Sequence, residues 1–352
     1  MFHNLKKGKE VIIMARRKVN TVLGPIEAEQ LGRTLMHEHL QYGFTGWQGD
    51  LTLGPVRELY TIQENMKWIK PITEAPYNFG TIVDATNNEC GRDPMFLARM
   101  SLALGINIIC STGYYFENMS AHGYWKFLGD GKNPDGVLME QLMTEELENG
   151  IRGTEGIDLK PIKAGVMKLA TSAGQITHVE ELFLKAAART NANTGHSIIT
   201  HTELGTMGPE QAKILTENGA DPKSVSIGHM CGSTDIDYHE KVLQYGVFDC
   251  FDRFGLEGEL FHTPTDEERC QTIVKLLEKG YEDQILMSHD SVTVELGRDW
   301  GDKNDLPIFK NANIQNIPKR VIPMLKDMGA TDAQIEKIFV KNPAKCLCGA
   351  DL

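Results

Sequence analysis

Short apolar runs alternate with longer amphipathic stretches from residue 34 to about residue 345. The runs at 34–39, 81–86, 107–112, 165–170, 197–202, 225–230, 247–252 and 284–290 are rich in Ile, Val or small residues. Each is short enough for a strand buried on both faces. Between them the spacing predicts helices. One over 92–104 has a proline near its start, those over 137–149 and 209–218 end in Asn-Gly, and another covers 235–245. The helices at 177–188 and 265–278 open with Thr177 and Thr265, each with a glutamate three residues on, which is the capping-box pattern.

Eight strands with helices interleaved match a closed parallel (β/α)8 TIM barrel. An open doubly wound sheet would want a glycine-rich phosphate loop after an early strand, and the chain has none. No linker rich in Pro, Gly or Ser divides the chain, so residues 19–352 read as one barrel domain. Residues 1–18 read as an N-terminal extension expected to be disordered, with Met14 as an alternative start. Residues 113–136 and 291–311 read as long loops after the third and eighth strands, at the end where barrels shape their pockets.

Composition narrows the field of partners. The chain of 352 residues carries 36 Lys+Arg against 48 Asp+Glu, a net charge of −12, which argues against a broad nucleic-acid surface. No run of about 18 apolar residues appears, so no membrane span is expected. The 7 cysteines are scattered and odd in number, which fits a reducing, cytoplasmic setting better than a disulfide framework. Cys346-Leu-Cys348 lacks partner ligands and reads as two ordinary thiols.

Candidate chemistry concentrates at strand ends. In Leu35-Met-His37-Glu38-His39-Leu40 the period-two alternation of a strand puts His37 and His39 on one side and Glu38 on the other, toward the helices. An H-x-H pair alone is common. Here, however, His201, His229 and Asp290 fall at the ends of three other predicted strands, and Lys168 lies inside the apolar run Gly-Val-Met-Lys-Leu-Ala. A single histidine at a strand end is usually a hydrogen-bonded structural residue, and Asp290 could merely cap the next segment. A buried lysine is harder to accommodate without a charged partner. Six such residues on five strands at one rim point to a shared site.

The chain resembles the phosphotriesterase family of the amidohydrolase superfamily, near its lactonases and phosphotriesterase-related proteins. The resemblance rests on Thr-Val-Leu-Gly-Pro-Ile (21–26), Leu-Gly-Arg-Thr-Leu-Met-His-Glu-His-Leu (31–40), Ala-Gly-Val-Met-Lys-Leu-Ala (164–170), Ile-Gly-His-Met (227–230), Phe-Asp-Arg-Phe-Gly (251–255) and Met-Ser-His-Asp (287–290). It implies a site for two divalent cations, with Zn²⁺ favoured and Mn²⁺, Co²⁺ or Fe²⁺ as alternatives. On that likeness His37, His39 and Asp290 would hold the more buried cation and His201 and His229 the more exposed one. Lys168, carboxylated on its amine, would bridge them. Asp290 would take the proton of the activated water. Tyr115 and Arg253 match pocket residues of the lactonases. One position departs: many members carry an acid three residues after the sixth-strand histidine, and here that residue is Gly232, while Asp235 reads as a helix cap.

The resemblance implies a small-molecule hydrolase, first a lactonase or carboxylic ester hydrolase with phosphotriester hydrolysis as a side activity. Hydrolysis of an N-acyl amide is the rival reaction, and a binding protein that keeps the barrel without catalysis is the rival class. A homodimer is expected by the same likeness. Trp47, Tyr114, Phe116, Trp125 and Trp300 are candidates for the wall of an apolar cavity.

Overall fold

The architecture comes from a computed structural model of the protein, which describes residues 18–50, 58–119, 123–154, 160–258, 263–297, 309–349 and 352. The N-terminal extension up to residue 17, Trp300 and most of the loop at 291–311 lie outside the described residues.

A hairpin, β1 (Lys18–Thr21) and β2 (Gly24–Glu27), comes first and pairs antiparallel. Eight strands then form one sheet in sequential order: β3 (Arg33–Glu38), β4 (Phe79–Asp84), β5 (Asn107–Gly113), β6 (Val166–Thr171), β7 (Ser197–Thr202), β8 (Val225–Ile227), β9 (Phe248–Phe251) and β10 (Ile285–Met287). All seven pairings are parallel. The seam between β10 and β3 closes through the loop after β10. There Asp290 donates its N–H to the His37 carbonyl at 3.0 Å, His39 donates to the Ser291 carbonyl at 2.9 Å, and His39 bridges in parallel to Val292. The result is the expected TIM barrel.

Helices α1 (Glu58–Thr73), α2 (Pro94–Leu104), α3 (Gly123–Lys132), α4 (Val137–Glu148), α5 (His178–Thr194), α6 (Gly208–Glu217), α7 (Ile236–Leu243) and α8 (Asp266–Glu278) wrap the outside. Three short ones, α9 (Ile322–Asp327), α10 (Asp332–Glu336) and α11 (Asn342–Cys348), end the chain. Both predicted capping boxes form, at Thr177/Glu180 and Thr265/Glu268, and Asp235 caps α7 by accepting from the Asp237 N–H. The expectation of a plain loop over 113–136 is corrected: α3 lies within it. Trp125, buried there, and Leu128, one turn on, supply an apolar stripe, and the helix kinks where Gly129 takes φ +59. The C-terminal helices escape a pattern reading because Pro323 and Pro343 look like breakers, yet each follows a π-helical turn, Ile317–Val321 or Lys337–Lys341, within a continuous helical run that absorbs the missing N–H.

Two apolar layers sort by alternation. Val83, Ile109, Val166, Ile199, Phe248 and Leu286 form the interior, closed below by Val19 of the hairpin and Leu347 of α11. Their neighbours Ile82, Ile108, Met167, Ile198 and Ile285 face the helices. Asn20 ties the hairpin to the barrel by donating to the carbonyls of Leu147 and Ala164 at 2.9 and 3.0 Å. All seven cysteines, Cys346 and Cys348 included, are buried, and none forms a disulfide. Among the described residues no helix is long and apolar enough to cross a membrane.

Gly113 ends β5 beside the strand that bears Lys168. It takes φ +125, and a Cβ there would lie 2.1 Å from the Lys168 carbonyl oxygen. Gly105, at φ +70, has open space around it. Gly113→Ala is therefore expected to lower stability by roughly 3 kcal/mol or more, against about 1 kcal/mol for Gly105→Ala. Guanidinium midpoints check this; equal losses would show that the contact with Lys168 does not matter.

Candidate active site

The six residues singled out in the sequence come together at the C-terminal mouth of the barrel, each reached by its own local backbone. Lys168 and His201 follow strict alternation after the interior residues Val166 and Ile199. His37 does not. Between Leu35 and Glu38, β3 advances three residues while β4 advances two, from Ile82 to Asp84. This bulge lets Met36 fill the interior and still sends His37 and His39 inward. His229 and Asp290 lie beyond their strands with φ +59 and +56, left-handed backbone that non-glycine residues rarely adopt. Such conformations persist where the surroundings over-determine them, and they cluster at functional sites.

Proton positions can be assigned from each ring's partners. His37 Nδ1 lies 2.7 Å from Asp252 Oδ2 and His229 Nδ1 lies 2.8 Å from Asp252 Oδ1, so both rings donate to that carboxylate. His39 Nδ1 lies 2.8 Å from Thr86 Oγ1, whose hydroxyl proton goes to the Gln41 carbonyl, so His39 also donates through Nδ1. His201 Nε2 donates to Glu203 Oε2 at 2.7 Å. What remains is the Nε2 lone pair of His37, His39 and His229 and the Nδ1 lone pair of His201. Asp290 Oδ1 lies 3.1 Å from His39 Nε2 and 3.3 Å from His37 Nε2, and Oδ2 lies 3.5 Å from His229 Nε2. His229 Nε2 is buried with no hydrogen-bond partner.

Burial fixes the charges. It depresses the imidazoles of His37 and His229, and it takes His201 down to about 4. These rings are therefore neutral, the form that binds a cation. Burial also lowers the Lys168 ammonium to about 8, with Asp290 acting against it. Nζ lies 2.9 Å from His37 Nε2 and 3.2 Å from the Thr200 carbonyl, and among the described residues no ion-pair partner meets it. For Asp290 burial works against the charge, yet the carboxyl is held well below the usual range; with the imidazoles neutral, the cation beside it is the Arg253 guanidinium, whose Nε lies 3.3 Å from Oδ2.

The Asp290 carboxylate thus faces the lone pairs of His39 and His229, which meet no proton donor, and that of His37, which meets only Lys168 Nζ. A cation resolves this arrangement, and the donor set fits one. The nearest ligand atoms of His37, His39 and Asp290 lie within 4.8 Å of one another. Ligand atoms of His37, His229 and Asp252 also lie within 4.8 Å of one another. Asp252, however, already accepts from both rings through opposite oxygens, so it orients them and does not ligate.

Tyr115 and Arg253 also reach the site. The Tyr115 ring packs edge-on against His201, centroids 4.8 Å apart, and burial followed by the Glu203 charge keeps its phenol protonated. Arg253 Nε lies 3.3 Å from Asp290 Oδ2. Asp252 and Glu203 were not singled out in the sequence. Asp252 shares the inward parity of Phe248 and Cys250, and Glu203 follows His201 by two, signals too common in a sequence to single either out. Gly232 has a steric reason: a Cβ there would lie 2.9 Å from Gly205 Cα, so no acidic side chain fits.

A cavity of about 260 Å³ opens above these residues. Tyr42, Phe44, Leu256, Val292 and Phe309 make its apolar wall, with Glu295 on one side. The expectation for the aromatic wall is corrected, since none of Trp47, Tyr114, Phe116 and Trp125 lines it. Tyr114 and Trp125 pack with Phe183 in the outer core, and Phe116 stacks behind His201.

Barrel and site together define a metal-dependent hydrolase. Residues 17–347 match the phosphotriesterase family. The chain belongs to that family. A crystallised variant of a Deinococcus radiodurans PTE-like lactonase is 41% identical, with TM-score 0.87 over 94% of this chain and 99% of that one. The aryldialkylphosphatase of Saccharolobus solfataricus is 33% identical, covering 91% of this chain and 96% of its own. The N-acetyltaurine hydrolase of Danio rerio is 28% identical, at 94% and 98% coverage.

The depressed His201 gives a signed pH effect. The unfolded ring binds a proton below about 6.5, the folded one only below about 4, so stability present above 6.5 is lost as pH falls through that window. The share of His201 is on the order of 3 kcal/mol. Guanidinium midpoints of metal-stripped protein between pH 7 and about 4.5 should fall more steeply for the wild type than for His201→Asn. Parallel curves would contradict the assignment.

Proposed function

We propose that the protein is a zinc-dependent lactonase acting on neutral, apolar-chained lactones or related carboxylic esters. The observation that carries this is the convergence of four inward-facing imidazole lone pairs and Asp290 beneath an apolar cavity. In this reading His37, His39 and Asp290 hold the inner cation and His201 and His229 the outer one. Lys168, carboxylated, lies between them. Its lack of an ionic partner supports that modification, because a carbamate converts a buried cation into an oxygen ligand of the charge the site needs. Mixed nitrogen and oxygen donors favour Zn²⁺.

Bound there, the cations supply Lewis acidity that brings a water into reach of deprotonation near neutral pH and polarises the substrate carbonyl. The residues do the rest. Asp290 accepts the water's proton and returns it to the leaving oxygen once the acyl C–O bond breaks. Arg253 steadies the same carboxylate through Oδ2. The neutral phenol of Tyr115 donates a hydrogen bond toward the substrate. Because position 232 is glycine and supplies no acid, Asp290 is the main proton acceptor.

The cavity favours the ester reading over hydrolysis of an N-acylated sulfonate or amino acid. Such substrates bring a fixed anion, whereas the cations among the described lining residues are Lys168, within the cluster, and Arg253, already paired with Asp290.

A panel of γ- and δ-lactones, N-acyl amino acids, N-acetyltaurine and paraoxon tests this. Lactones with apolar side chains should give the highest kcat/KM, chelation should abolish turnover and zinc should restore it. Mass spectrometry of the native protein should find one CO₂ on Lys168. Turnover of amides without any lactone would overturn the assignment.

A further inference from the structure

Glu38, between the two histidines of the first strand, takes no part in the cation cluster. Its side chain leaves the barrel wall on the side away from the imidazoles and is fully buried. Five donors meet its carboxylate there. Oε1 accepts from the Ser288 hydroxyl at 2.7 Å, the His289 N–H at 3.0 Å and the His289 Nδ1–H at 2.6 Å. Oε2 accepts from the Ser291 N–H at 3.0 Å and its hydroxyl at 2.5 Å. The His289 tautomer is set at its far nitrogen, where Nε2 accepts from the Ile317 N–H at 2.9 Å. The Ser288 hydroxyl in turn accepts from the His37 N–H at 2.9 Å, which returns the network to the ligand strand.

All five donors belong to residues that flank Asp290, and none to Asp290 itself. Asp290 occupies left-handed backbone at φ +56, and its own main chain adds a single bond, from its N–H to the His37 carbonyl. A turn of that kind keeps its shape only when its neighbours hold it. A carboxylate suits this task because it offers two acceptor oxygens and no donor. An amide of the same shape would set an NH₂ against the donors of either Ser291 or His289.

We propose that Glu38 is a positioning residue: through Ser288, His289 and Ser291 it clamps the left-handed turn that aims the Asp290 carboxylate at His37, His39 and His229, and so sets the affinity of the inner cation site. This rests on the reading of Asp290 as a cation ligand. The first-strand motif then works on both faces of the barrel wall, two ligands inward and one clamp outward.

Glu38→Gln and Ser291→Ala test it, with Gly105→Ala as a variant destabilised far from the site. Zinc retained during dialysis against graded chelator is measured by metal analysis, beside lactone kinetics and thermal melting. In Glu38→Gln the affinity for one of the two zinc ions should fall roughly 10- to 100-fold. kcat should fall by a similar factor, with KM within about threefold of wild type. Ser291→Ala should shift both in the same direction and by less, while Gly105→Ala keeps wild-type zinc affinity. Wild-type affinity and kcat in folded Glu38→Gln would overturn the proposal, as would an equal zinc loss in Gly105→Ala. If Glu38→Gln does not fold, an unchanged Ser291→Ala overturns it and a shifted one supports it. A wild-type protein that binds no zinc overturns the metal reading as well; one that binds zinc while the variants match it overturns this proposal alone.

Discussion

Removing an ionisable group from water favours its neutral form, and the mouth of this barrel gathers four imidazoles, an amine and a carboxylate within contact of one another. Each imidazole gives its one N–H to an outer partner: Asp252 takes two, Thr86 one and Glu203 one. The inner faces are left as acceptors turned toward an anion. Without positive charge at the centre, that geometry is repulsive, and the barrel has to impose it. Left-handed backbone at His229 and Asp290, a strand bulge before His37 and a buried lysine are the local forms of that imposition. Strained backbone of this kind costs on the order of 1–3 kcal/mol per residue and is sustained by surrounding bonds, such as the His229 N–H to Asp252 Oδ1 at 2.6 Å.

The site also sits where the barrel closes. The β10–β3 seam is made by the loop after β10, and the same residues carry the clamp and Asp290. Closing the sheet and placing Asp290 beside His37 and His39 are therefore one structural event.

The barrel was legible because apolar runs of strand length recur eight times and the capping boxes mark helix starts. Its flanking parts were less so. The hairpin at 18–27 has strands of four residues, too short to show a period, and α9 and α11 hide behind prolines that π-helical turns accommodate. The residues at the mouth were legible by position, since strand ends are where a barrel presents chemistry. Their orientation was only half legible. Alternation gives Lys168 and His201, but His37 depends on a bulge, and His229 and Asp290 on positive φ, which no period reveals. Asp252 and Glu203 escape a sequence reading because an aspartate or glutamate near a histidine is common, and only the folded chain shows each one receiving a ring proton. The aromatic residues misled because large rings fill cores and pockets alike; Tyr114 and Trp125 went to the core.

The contact between Gly205 and Gly232 limits what this lineage can become. The loops after β7 and β8 meet there backbone to backbone, and Gly205 holds φ +68. An acid cannot be installed at 232 by one substitution, because the facing turn would first have to retreat. The two positions are thus locked together in descent: a variant that gained a longer proton path behind His229 would need a remodelled 203–205 turn beforehand. That turn also carries Glu203, the partner of His201, so remodelling it would put the His201 bond at stake.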